Sequence, residues 1–126
     1  MKKILLVDDC EISLDIAKNA LEDKYEVTSA KSGYEAIGFL SKGLIPDLIL
    51  LDILMPEMDG WEAFKIIKGI CLLRDIPIAF LTSLDSEKDK NSATSLGAAD
   101  FINKSFEKEE FVKRIDLILE KELQSI

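Results

Sequence analysis

Short aliphatic runs alternate along this chain with segments whose apolar residues recur every three or four positions. Ile4 to Val7 reads as a first buried strand, closed by Asp8-Asp9. A helical pattern follows, with Ile12, Ile16 and Ala20 on one stripe and Ala17 and Leu21 beside it. Tyr25 to Ser29 alternates apolar and polar residues, as a half-exposed edge strand does. Ser32-Gly33-Tyr34-Glu35 is a capping-box pattern that opens a second helix through Ala36, Ile37 and Leu40, which Gly43 ends. Leu48 to Met55 is the most apolar stretch, bounded by prolines and broken by a single carboxylate, Asp52. It predicts a strand buried on both faces.

Asp59-Gly60-Trp61-Glu62 starts a third helix, with Trp61, Phe64, Ile67 and Ile70 or Cys71 near helical spacing. Ile76 to Leu81 predicts another buried strand ending at Thr82-Ser83, with Pro77 near its start, where a missing N–H does least harm. Asp85 to Leu96 is compatible with a helix but polar, anchored by Ala93 and Leu96, and is expected to be the most mobile element. Ala99 to Asn103 reads as a fifth strand ending at Lys104. The last helix runs from about Glu107 to Leu123, with Phe111, Ile115, Ile118 and Leu119 inward. Five strands alternating with five helices predict one α/β domain over residues 1–126, a parallel sheet covered on both faces.

Composition narrows the function more than the fold. The formal net charge of −8 argues against nucleic acid, whose binding needs lysine and arginine to displace counterions, and against an anionic membrane surface. With no histidine in 126 residues, Ser-His-Asp and Cys-His catalysis and His-ligated zinc are excluded. Cys10 and Cys71 have no metal-type spacing and are expected to be small buried hydrophobes in a reducing cytosol. The apolar run after Met1-Lys2-Lys3 is too short for a signal peptide and no stretch approaches a membrane span, so a cytoplasmic protein is expected.

The polar residues inside or just after the apolar runs carry the chemistry. Ligands of open parallel sheets bind beyond the carboxyl ends of the strands. Asp8 and Asp9 close the first strand, Asp52 the third, Thr82 the fourth and Lys104 the fifth. A lone ionised carboxylate in an aliphatic strand costs several kcal/mol unless water or a cation compensates it. If the first and third strands are neighbours, three carboxylates crowd one end of the sheet. Their repulsion calls for a cation, and an all-oxygen cluster suits Mg²⁺. With a lysine and a hydroxyl added, the set matches a phosphoryl-transfer site in which a carboxylate attacks and cations neutralise the phosphoryl oxygens. Taken singly, Asp9 reads equally as a helix cap, Thr82 as a strand-end threonine and Lys104 as a solvated lysine.

Val7-Asp8-Asp9, Leu51-Asp52-Ile53-Leu54-Met55-Pro56, Met58-Asp59-Gly60, Leu81-Thr82-Ser83, Gly97-Ala98-Ala99-Asp100-Phe101 and Lys104 occur in that order. Through them, over about residues 2 to 122, the chain resembles the CheY-like receiver domain of two-component response regulators. The resemblance implies a doubly wound, flavodoxin-like (βα)5 domain of strand order 2-1-3-4-5. It implies a phosphorylation-dependent switch, not a turnover enzyme. Asp52 would accept a phosphoryl group from a histidine kinase or a phosphotransfer protein. Asp8, Asp9 and Asp52, with the backbone carbonyl of Leu54, would bind Mg²⁺. Thr82 would be the switch hydroxyl, Lys104 the phosphate-contacting lysine and Phe101 the switch aromatic, although a phenylalanine in a buried strand also reads as plain core. A downstream protein, or a second copy, would read the face made by the fourth helix, fifth strand and fifth helix.

Two positions depart from the family pattern. Ser105 stands where a proline, commonly with a cis bond, usually follows the lysine. A cis bond before a non-proline residue costs about 2.5–4 kcal/mol, so a trans Lys104-Ser105 bond is expected, with Lys104 still reaching Asp52. Leu54 and Leu84 are both aliphatic, which is expected to hinder an attacking water and slow self-dephosphorylation. One competing reading is an aspartyl-phosphate phosphohydrolase of haloacid-dehalogenase type, but Leu54 occupies the position of its second acid and no cap insertion is present. Another is a phosphorylation-independent interaction domain on the same fold, which predicts loss of acidic or lysine residues that are all present here. The chain ends soon after the last helix, leaving no room for an output domain: a stand-alone receiver, or a domain cut from a longer protein.

Overall fold

A computed structural model describes residues 1–124. The elements run β1 (Lys3–Val7), α1 (Glu11–Leu21), β2 (Glu26–Ala30), α2 (Gly33–Ser41), β3 (Leu48–Leu51), α3 (Gly60–Lys68), β4 (Ile78–Thr82), α4 (Glu87–Leu96), β5 (Phe101–Asn103) and α5 (Lys108–Gln124). A short 3-10 turn, Cys71–Leu73, links α3 to β4. The strands form one sheet of order β2-β1-β3-β4-β5 with parallel neighbours, the doubly wound arrangement expected.

Side chains of successive strand residues leave opposite faces, and this period divides the interior into two cores. Leu5 and Val7, Ile49 and Leu51, and Ile78 and Phe80 point to one face, where they meet Ala36 and Leu40 of α2, Ala63, Phe64 and Ile67 of α3, and Ala93 of α4. Ile4 and Leu6, Leu48 and Leu50, and Ala79 and Leu81 point to the other, against Leu14, Ala17, Ala20 and Leu21 of α1 and Phe111, Ile115, Ile118 and Leu119 of α5. Residues of β1, β3 and β4 are apolar at nearly every position because both faces are covered. Edge strand β2 is only partly buried apart from Ala30.

The helices begin where side chains satisfy their first amides. Ser32 accepts from the Glu35 N–H at 3.0 Å, Asp59 from Glu62 at 2.9 Å and Ser86 from Asp89 at 3.1 Å, caps worth about 0.5–2 kcal/mol each. At the end of α4, Gly97 adopts φ +94°, a left-handed conformation that costs a side-chain-bearing residue energy. Only Ala93 of α4 is fully buried, in keeping with its polar sequence.

Two expectations are corrected. Ile12 and Ile16 of α1 are 72% and 53% exposed, and the buried stripe is Leu14, Ala17, Ala20 and Leu21. Two ridges of α1 are apolar enough to face inward. The bulky α5 residues already fill the interface, which favours the ridge with two alanines. Cys10 is exposed rather than buried, because it follows Asp8-Asp9 in the loop above the sheet. The side chain of Cys71 lies outside the described residues.

Candidate functional site

The register of the central strands brings Asp8 and Asp52 to one level. Val7 of β1 lies opposite Leu51 of β3, so Asp8 and Asp52 follow their strands at the same level. The chain is pinned there by Asp52 N–H donating to the Val7 carbonyl at 2.9 Å and Asp8 N–H to the Ala30 carbonyl at 3.0 Å. Asp8 and Asp52 continue the alternation of Leu6 and Leu50, so both belong to the α1/α5 side, as does Lys104, two residues after Ile102. Asp8 is 5% and Asp52 2% exposed, whereas Asp9 is exposed above them. One carboxylate oxygen from each of Asp8, Asp9 and Asp52 lies within 4.8 Å of the others. Asp9 does not cap α1: Cys10 holds that position, and its side chain makes no capping hydrogen bond.

Lys104 compensates the buried charge. Its Nζ donates to Asp8 Oδ2 at 2.7 Å and to Asp52 Oδ2 at 3.0 Å, while its backbone N–H donates to the Thr82 carbonyl at 2.9 Å. Asp52 Oδ1 also accepts from the Ile53 N–H at 2.8 Å, and Asp8 Oδ1 from the Cys10 N–H at 3.0 Å. Charge-assisted bonds of this kind are what allow carboxylates to stay buried. Burial nevertheless pushes the Asp8 carboxyl above the usual carboxylate range, with Asp52 adding to the rise, against the pull of Lys104 and the Cys10 amide. Burial also opposes the Lys104 charge, but its bonds to Asp8 and Asp52 outweigh this and hold its pKa above that of an ordinary lysine.

One lysine facing three carboxylates leaves the site electron-rich and lined by oxygen donors, a set that fits a hard divalent cation such as Mg²⁺. The Lys104-Ser105 bond is trans, and the lysine reaches Asp52 without a cis bond.

Thr82 ends β4, paired with Asn103 of β5. It is wholly buried and follows Ile78 and Phe80 in the alternation, so it leaves β4 on the α2/α3/α4 side. Phe101 packs partly buried on that same side, its ring 6.4 Å from Phe80. Leu54 lies in the loop after Asp52 with its side chain 53% exposed, and Leu84 packs against the α2/α3/α4 core.

The sequence marks Gly60 as part of the α3 start and of the motif Met58-Asp59-Gly60 without giving it a role, yet it shapes the site. Its N–H donates to the Ile53 carbonyl at 2.8 Å, and a Cβ there would lie 2.2 Å from the Asp52 carbonyl oxygen. Glycine lets α3 begin in contact with the backbone of the central carboxylate. The available signal is a poor helix former placed just inside the Asp59 cap.

Comparison with known proteins agrees with this architecture. Residues 4–116 match the response regulator receiver domain family. The chain is 40% identical over 120 residues to the response regulator SaeR of Staphylococcus aureus, an alignment covering 94% of this chain and 51% of SaeR. It thus spans about half the length of the curated relatives it matches. The Vibrio cholerae chemotaxis protein CheY4 superposes with a TM-score of 0.87 at 31% identity, covering 94% of this chain and 98% of CheY4. The signal receiver domain of a signal transduction histidine kinase from Syntrophus aciditrophicus gives 0.85 at 35% identity, covering 96% and 92%.

Proposed function

The chain belongs to the response regulator receiver domain family of two-component systems, and we propose that Asp52 is its phosphoacceptor. The observation that carries this reading is the placement of Asp52: a buried carboxylate at the end of the central strand, held by Lys104 and grouped with Asp8 and Asp9. One Asp52 oxygen forms the bond to phosphorus as the phosphorus–nitrogen bond of a kinase or phosphotransfer phosphohistidine breaks, giving an acyl phosphate. Asp8, Asp9 and Asp52, with the Leu54 carbonyl, would hold Mg²⁺, which when bound supplies charge neutralisation at the phosphoryl oxygens. Lys104, positioned at Asp52, contributes a fixed positive charge to the same oxygens.

The charge on Asp52 rises from one towards nearly two on phosphorylation, and three acceptor oxygens are added. Thr82 offers a hydroxyl at the end of β4, and its capture would disturb the α4 side of the sheet, where Phe101 is only half-buried and α4 has one fully buried residue. Phe101 would then move with Thr82, and the α4-β5-α5 face would change for a downstream protein or a second copy. The aliphatic side chains of Leu54 and Leu84 would slow hydrolysis of the acyl phosphate.

Incubation with Mg²⁺ and a small acyl phosphate, followed by intact-mass measurement, tests the assignment. Wild type should gain one phosphoryl group and Asp52→Asn none. An unmodified wild type, or equal modification of both proteins, overturns it.

A further inference from the structure

Lys104 is one residue past the end of β5, yet its backbone is held on both sides. On the N-terminal side, Asn103 pairs with Thr82 in the last step of the β4–β5 ladder, and the Lys104 N–H donates to the Thr82 carbonyl at 2.9 Å. On the C-terminal side, Asn103 Oδ1 accepts two bonds from Ser105, one from its N–H at 2.8 Å and one from its hydroxyl at 2.5 Å. The side chain of Asn103 thus closes a turn around Lys104, mimicking a backbone turn as asparagine does two residues ahead of an amide. The next residue is also anchored. Phe106 stacks on Phe111 of α5, ring centroids 4.0 Å apart and planes inclined by 17°.

We propose that Asn103 is a positioning residue, whose clasp on Ser105 aims Lys104 at Asp8 and Asp52. A lysine side chain loses about 2 kcal/mol of rotamer freedom when held in one geometry. Fixing its backbone at both peptide bonds lowers what must be ordered and sets the direction in which the chain leaves the sheet. The Asn103–Ser105 bonds are exposed, where a hydrogen bond adds little net stability. Their consequence is direction, and it is delivered at the Lys104 ammonium, 2.7 Å from Asp8 and 3.0 Å from Asp52. The trans bond before Ser105 is compatible with this arrangement, because the side chain of Asn103 makes the turn.

The inference rests on the reading of Asp52 as phosphoacceptor for its effect on rate, but not for its effect on Lys104. Two measurements keep these separate. In the first, the rate constant for phosphorylation by a small acyl phosphate with Mg²⁺ is compared among variants by intact mass. Asn103→Leu, of similar size without an acceptor, is expected to slow the reaction about tenfold, in the range typical of removing an outer-shell partner. Asn103→Asp, which keeps the acceptor oxygen, should restore most of the rate. In a Lys104→Ala background, Asn103→Leu should cause no further loss, since a positioning residue has nothing left to position. A wild-type rate in Asn103→Leu, or an equal loss in the Lys104→Ala background, overturns the proposal.

In the second, the full chain without phosphodonor is treated with an amine-acylating reagent, and the labelling of Lys104 is followed by peptide mass. Wild type should label slowly, because the ammonium is shared by two carboxylates, and Asn103→Leu several-fold faster. Equal labelling overturns the positioning role even if the phosphoacceptor assignment holds. A wild type that gains no phosphoryl group while Asn103→Leu exposes Lys104 sinks the phosphoacceptor reading and leaves the positioning role supported.

Discussion

Replacing Gly60 by alanine inserts a methyl carbon 2.2 Å from the Asp52 carbonyl oxygen and 2.6 Å from the Ile53 Cα. Ordinary van der Waals contact begins near 3.4 Å, so the shortfall at the carbonyl oxygen exceeds an ångström, and both obstructing atoms are backbone. Neither can swing aside as a side chain would. The start of α3 must retreat, stretching the 2.8 Å bond from the Gly60 N–H to the Ile53 carbonyl, or the Asp52-Ile53 peptide must move. Overpacking of this kind costs about 1–3 kcal/mol, which for a chain of this length corresponds to roughly 4–11 °C in Tm. Displacing the proposed phosphoacceptor by about 1 Å is expected to cost on the order of a hundredfold in rate. Gly38 is the internal control. It lies inside α2, and a Cβ added there would meet no atom within 4 Å, so Gly38→Ala should stabilise the fold by about 0.5–1 kcal/mol through the helix preference for alanine. The urea midpoints of the two variants should therefore shift in opposite directions, and only Gly60→Ala should lose phosphorylation rate. If Gly60→Ala were as stable and as reactive as wild type, the close approach of α3 to Asp52 would not be what demands glycine there.

Further expectations follow from the charges and the partly buried hydroxyl. Because the Asp8 carboxyl is raised above its value of 3.8 in the unfolded chain, the folded state binds more protons between that value and its folded one. Stability should therefore fall as pH rises through this window in protein free of divalent cations. Subtracting the urea-midpoint profile of Asp8→Asn should isolate this slope, and the variant should be more stable at neutral pH; a difference profile that rises with pH would contradict it. Tyr25→Phe removes the hydroxyl that donates to Asp116, a bond joining the start of β2 to α5, and should cost about 1–2 kcal/mol by denaturant unfolding. Leu84→Glu should shorten the acyl-phosphate lifetime by admitting and orienting water, seen as faster loss of the phosphoryl mass after the donor is removed; an unchanged lifetime argues against aliphatic shielding.

The sheet was legible because strands covered on both faces must be apolar at successive positions, so Ile4 to Val7 and Leu48 to Leu51 announce themselves and the polar residues after them mark the wet end. The charged cluster was legible for the same reason: Asp8, Asp52 and Lys104 interrupt or end runs in which polar groups are costly. What the pattern could not rank was the inward ridge of α1, since Ile12-Ile16 and Leu14-Leu21 are both apolar and the choice depends on α5, far along the chain. The exposure of Cys10 is likewise set by its place in a loop rather than by its chemistry. Nor did the sequence pair Lys104 with Asp8, its shorter contact, because that distance depends on the register of strands with two others between β1 and β5. Gly60 and Asn103 matter through close approach and turn closure, neither of which is visible as a run or a period.

The sheet that separates the two cores is one strand thick, and adjacent residues of a strand belong to different compartments. Asp52, Asp8 and Lys104 open towards α1 and α5, whereas Thr82 lies with Ile78 and Phe80 towards α3 and α4. The proposed acceptance of a phosphoryl group and its proposed transmission thereby fall on opposite faces of one sheet, the first on residues that follow β1, β3 and β5, the second on the last residue of β4. Substitutions can diversify one compartment while leaving the other's packing intact. On the proposed reading, a lineage or a designer can retune α4 without repacking the side of the sheet on which the acidic cluster lies, whereas α5 borders both sides.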